Sequence, residues 1–193
     1  MAQYSYLLIV FAWCALTSTA RAETAEKKQG EGSVYALLGV QNGSGTLLQP
    51  ISAPSFELGI STKGTPGSAD WTASLDVFVA SSRGSANVDQ KSYQPDTRLS
   101  LRSVGFSPAV CYVNAYVDVC PLGILQTINV TEANNQFAFW SLGYGLELDK
   151  AVGPYRYIVK ATEATFAHKI DGKVESGKLR TVQFGLGVVL GAK

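Results

Sequence analysis

Apolar and polar residues alternate with period two along most of the chain, the pattern of strands whose two faces meet different surroundings. Eight such segments follow one another. The first, over 33–41, sets Val34, Ala36, Leu38 and Val40 on one face. The second, over 55–62, alternates Phe56, Leu58 and Ile60 with Glu57, Gly59 and Ser61. The third, over 71–80, places Ala73, Leu75, Val77 and Val79 against Ser74 and Asp76. The fourth, over 98–112, changes phase: Leu99 and Leu101 hold one parity, Val104 and Phe106 the other. A β-bulge near Arg102 and Ser103 would reconcile them. In the fifth, over 116–130, Leu122, Ile124, Ile128 and Val130 are in phase. The sixth, over 137–149, sets Trp140, Leu142, Tyr144, Leu146 and Leu148 against Ser141, Gly143, Gly145, Glu147 and Asp149. The seventh, over 155–168, opposes Tyr155, Tyr157, Val159 and Ala161 to Arg156, Ile158, Lys160 and Thr162. The eighth, over 181–190, opposes Val182, Phe184, Leu186, Val188 and Leu190 to Gln183, Gly185 and Gly187.

The polar phase decides which way round the sheet is built. It holds glycines, hydroxyls and charges of both signs: Glu57, Asp76, Arg102, Glu147, Arg156 and Lys160. A soluble sandwich turns its polar face to water, and that face would be rich in Lys and Glu. A small membrane barrel inverts the arrangement, with the apolar face on lipid and the polar face in a narrow lumen. The expectation is therefore all-β: an eight-stranded antiparallel transmembrane up-and-down β-barrel, its six inward charges paired because unpaired ions there are costly to desolvate. The connections alternate in length. Those over 42–54, 81–97 and 169–180 are long and those over 113–115 and 151–154 short, as for external loops and periplasmic turns. Trp71, Tyr112, Tyr116, Tyr155 and Tyr157 fall at periplasmic strand ends, and Phe56 and Trp140 near external ends, where amphipathic rings favour the headgroup zone.

Composition agrees with that picture. Charged residues are 16% of the 193, below the about 25% of an average soluble domain, and a net charge of +1 leaves no basic footprint for nucleic acid. The apolar run over 7–14, followed by Ala20-Arg21-Ala22, reads as a secretory signal peptide over 1–22. A periplasmic segment over 23–32 and a barrel over 33–193 complete the expected organisation. Cleavage leaves Cys111 and Cys120, and an even count in an exported chain predicts one disulfide. A hairpin centred near Ala115 and Tyr116 would set them opposite one another, pinning the register at the periplasmic rim.

Signal segment, eight amphipathic strands and alternating loops together resemble the small OmpA/OmpX-type outer-membrane barrels. The run TVQFGLGVVLGAK looks like the closing strand of such proteins. The resemblance implies an outer-membrane location, with membrane lipid and the barrel-assembly machinery as partners. It implies a non-enzymatic structural or surface-interaction role through the external loops, whose ligand the sequence does not name.

Little else carries chemistry. His168 is the single histidine, without the partners a zinc site needs. As a lone general base it would make the chain a lipid-modifying outer-membrane enzyme, but no serine motif accompanies it. The glycines of SLGYGLEL fall at strand period and are no phosphate loop. No catalytic, cofactor or metal site is expected. The remaining alternative is a soluble exported β-sandwich or lipocalin-like carrier.

Overall fold

A computed structural model describes residues 31–45, 51–64, 70–85, 98–132, 135–170 and 173–190. These form eight strands: β1 (Glu31–Gly45), β2 (Ile51–Lys63), β3 (Trp71–Ser85), β4 (Arg98–Tyr112), β5 (Asp118–Glu132), β6 (Asn135–Val152), β7 (Tyr155–Ile170) and β8 (Lys173–Leu190). Each pairs antiparallel with the next, and β8 pairs with β1, so the sheet closes into an eight-stranded barrel. Closure excludes the sandwich alternative. The signal segment lies outside the described residues.

Register partners followed once around the wall run from Val34 through Ile60, Val77, Phe106, Leu125, Leu142, Thr165 and Lys178. They return to β1 at Ser44, ten residues further along. That stagger tilts the strands by about 40° and leaves an interior only wide enough for side chains.

The outer wall is apolar. Val34, Leu38, Leu58, Ile60, Val77, Val79, Leu146, Val159, Phe184 and Leu186 are all exposed large hydrophobics. On β6 the apolar row from Trp140 to Leu148 climbs roughly 20 Å between its first and last Cα at this tilt. With the reach of the end side chains it approaches the about 25 Å band of outer-membrane barrels. Trp71, Tyr112, Tyr155 and Tyr157 ring the end of the barrel where the described chain begins and ends, and Trp71 and Tyr112 touch at 5.2 Å between ring centroids.

Three expectations are corrected. First, β4 has no bulge: its register runs unbroken from Trp71↔Tyr112 to Ser85↔Arg98. The phase change reflects two apolar environments on one regular strand. Val104 and Phe106 face outward, while Leu101 turns into the interior. Second, the apolar phase of β5 faces inward, where Leu122, Ile124, Ile128 and Val130 are all buried. Third, the long connections shrink because the strands continue into them. Residues 46–50 separate β1 from β2, and only 171–172 separate β7 from β8.

The third correction and the inward turn of Ile128 and Val130 share a cause, whereas Leu122 and Ile124 pack with Cys111 and Cys120. At the end away from the termini, Ala53, Leu101, Ile128, Val130, Phe139, Phe166 and Leu179 form a buried apolar plug inside the barrel. Beyond the outer apolar band the apolar side chains turn inward instead, where burial against one another stabilises them. The strands extend there like those of a soluble barrel.

Candidate functional site

The functional geometry has two parts, a charged lumen and a cationic outer rim. Inward positions on β2, β3, β6 and β7 bring Glu57, Asp76, Glu147, Arg156 and Lys160 into the interior, each nine-tenths or more buried. Arg156 Nη2 donates to Glu147 Oε1 at 2.7 Å and to Asp149 Oδ2 at 2.8 Å, and Nη1 donates to Ser33 Oγ at 3.2 Å. Lys160 Nζ reaches across from β7 to Glu57 Oε1 on β2 at 2.7 Å and lies 4.9 Å from the Phe78 ring centroid. Asp76 is buried beside these groups, and its Oδ1 has no hydrogen-bond partner. Nearer the termini, Lys63 bonds Asp118 and approaches Asp149 at 3.4 Å. A cavity of about 170 Å³ opens at that mouth, lined in part by Ser33, Lys63, Asp118, Asp149 and Arg156.

Arg102 is not among them. It stands exposed on the outer face, between Ser81 on β3 and Asn129 on β5. The regular register of β4 requires this, because a residue one place from inward Leu101 points outward. The sequence reading also missed Lys63, Asp118 and Asp149. Asp149 already lies on the polar phase of the expected sixth strand with Glu147, and Lys63 is in phase with Ser61 one residue past the expected second strand.

Tyr35 shows how tightly the layer is packed. Its ring lies over Gly59, its direct partner on β2, and its hydroxyl donates to Glu57 Oε1 at 3.1 Å. A Cβ at Gly59 would sit 2.3 Å from Tyr35 Cζ. Replacing Gly59 with Ala is therefore expected to displace the ring, break the Glu57 bond and destabilise the barrel by about 1–3 kcal/mol in a urea titration. An unchanged midpoint would contradict this packing.

Cys111 and Cys120 are bonded, with both residues wholly buried on the lumen side and Cα atoms 4.0 Å apart. The turn between them spans 113–117, two residues longer than the expected 113–115. It is built by Asn114, whose Oδ1 accepts from the amides of Tyr116 and Val117.

The second part lies on the outer face where the apolar band stops, at the end away from the termini. Arg83 and Arg102 sit on neighbouring strands there, with Ser100 and Ser81 as their cross-strand partners. On the other side, Arg180 Nε and Lys178 Nζ both bond Glu163, at 2.7 and 2.8 Å, and the Tyr144 hydroxyl donates to Glu163 at 3.1 Å. Arg180 is 67% exposed. Four cations thus face outward against one carboxylate among the described side chains of this rim. His168 lies in β7 opposite Glu175, and its side chain is outside the described residues.

The closed eight-stranded sheet with an apolar exterior is the fold of outer-membrane β-barrels. No protein-family model and no curated protein matches the sequence. Solved structures do. Ail, the attachment invasion locus protein of Yersinia pestis, crystallised with the heparin analogue sucrose octasulfate, aligns with a TM-score of 0.54 at 15% identity, covering 84% of this chain and 99% of Ail. Neisserial surface protein A aligns at 0.51 and 18% identity, over 81% of this chain and 96% of its own. A major outer membrane protein of Thermus thermophilus aligns at 0.52 and 11% identity, over 84% and 100%.

Proposed function

We propose that this chain is a non-enzymatic protein of the bacterial outer membrane that acts as a surface-interaction barrel. On this reading the signal segment over 1–22 exports it, the assembly machinery inserts it, and the end away from the termini faces outward. The observation that carries the interaction role is the rim of Arg83, Arg102, Lys178 and Arg180. Lipid-facing positions of a barrel reject Arg and Lys at mid-depth and accept them near the interfaces. Cations collected at one edge of the apolar band are placed to meet sulfate or phosphate groups, which Arg engages through paired N–H donors. The ion-paired, plug-filled lumen fits a rigid scaffold that presents the rim.

The probe is sucrose octasulfate, the ligand crystallised with Ail. It should bind the purified barrel in neutral-lipid nanodiscs, and raising salt should weaken binding by screening. Replacing Arg83, Arg102 and Arg180 together with Gln should weaken it by about tenfold or more while the fold is kept. No binding to the parent protein, or binding untouched by the three changes, would overturn the rim assignment.

A further inference from the structure

Three prolines stand inside the wall of the barrel, Pro54 on β2, Pro108 on β4 and Pro121 on β5, and the last two lie on adjoining strands. Proline has no N–H and is ordinarily confined to sheet edges or bulges. Here there is no edge and no bulge. The direction of the missing donors follows from the ladder. The amide of Val113 donates to Asp70, on the β3 side of β4. N–H groups alternate along a strand, so those of even-numbered residues on β4 point to β5. The Cα separation of 4.0 Å makes Cys111 and Cys120 a non-hydrogen-bonded pair, and the rungs on either side of it exchange hydrogen bonds. Carrying the register from Phe106↔Leu125 to Tyr112↔Val119 sets Pro121 opposite Val110 and Pro108 opposite Gly123. Both prolines therefore fall on hydrogen-bonding rungs, with their absent N–H groups directed into the same β4–β5 joint.

The observed ladder carries the mark. Between β4 and β5 the pairing is continuous from Leu99↔Glu132 to Phe106↔Leu125, then resumes only at Ala109↔Leu122 and Tyr112↔Val119. The joints on either side, β3–β4 and β5–β6, are unbroken through the same stretch. Carbonyls left without donors in a membrane wall are costly, because lipid supplies none. The disulfide lies directly beside the Val110–Pro121 rung.

We propose that the Cys111–Cys120 bond is a covalent rung standing in for the hydrogen bonds that Pro108 and Pro121 withhold. The β4–β5 joint is then a redox-sensitive lateral seam, closed when the cysteines are oxidised. Reduction by a dithiol gives two thiols at Cys111 and Cys120 and a disulfide in the reductant, two electrons and two protons being transferred. The seam then opens ahead of every other joint.

Amide hydrogen exchange of the folded barrel in nanodiscs, with and without dithiothreitol, tests this on the parent sequence. Exchange at Tyr112, Val119 and Gly123 should rise by about tenfold or more on reduction, while Val34, Leu58 and Val188 stay protected. Denaturing gels run after partial thiol labelling report whether the cysteines were in fact reduced. A Pro108→Val, Pro121→Val pair restores both donors and should abolish most of the reduction effect. Uniform loosening around the barrel, an unchanged β4–β5 joint after confirmed reduction, or an equal effect in the folded valine variant would each overturn the proposal.

Discussion

Arginine at Leu146 is expected to destabilise the barrel by about 2–4 kcal/mol in a bilayer, the cost of a basic side chain on the lipid face near mid-depth. Leu146 is 43% exposed on the outer face of β6, with outward Leu148 and Tyr144 two residues away on either side. Its cross-strand partners Pro121 and Ala161 also point outward and offer no counter-ion. Arginine at Leu142, nearer the far edge, should cost less. The natural Arg102 marks the depth at which a basic residue is tolerated. Equilibrium unfolding from lipid vesicles measures both substitutions on one scale. Equal costs at Leu142 and Leu146, or none at either, would mean that the outer wall does not face lipid.

Removing the Lys160 ammonium by substitution with Met should cost about 3–5 kcal/mol, since it leaves a carboxylate buried without its cation. Lys160 is 1% exposed, and Glu57, 5% exposed, receives bonds from Lys160 and from Tyr35 on the same oxygen. The cost should not be the worth of the pair. A Lys160→Met, Glu57→Gln double variant removes both charges together and should recover most of the stability, giving a large coupling energy in the double-mutant cycle. Urea titrations of the four proteins in the same vesicles supply the numbers. A single-variant loss under about 1 kcal/mol, the range of exposed pairs, would show that water reaches Glu57.

The two expected results probe opposite faces of one wall, and they differ in how far the sequence prepared for them. Leu146 could be assigned from the sequence alone, because apolar and polar residues alternate without a break along β6. The same holds for β1, β2, β3, β7 and β8, whose apolar phases are the exposed ones. The inward placement of Glu57, Asp76, Glu147, Arg156 and Lys160 follows from the same parity. Even so, alternation only says which residues share a face. On β5 the apolar face is the inner one, since Ile128 and Val130 join the plug and Leu122 and Ile124 pack near the disulfide. Nothing local distinguishes that strand from its neighbours.

What the sequence determined by itself was the number of strands, their order, a closed antiparallel sheet and five of the six candidate inward charges. Each follows from a two-residue period and short connections. The tertiary structure decided the facing of β5, the outward turn of Arg102, the reach of the strands past the outer apolar band and the choice of ion partners. Lys160 lies opposite Glu147 in the register yet bonds Glu57 across the lumen. Such pairings depend on the stagger of the whole barrel, a property of closure that no single strand encodes.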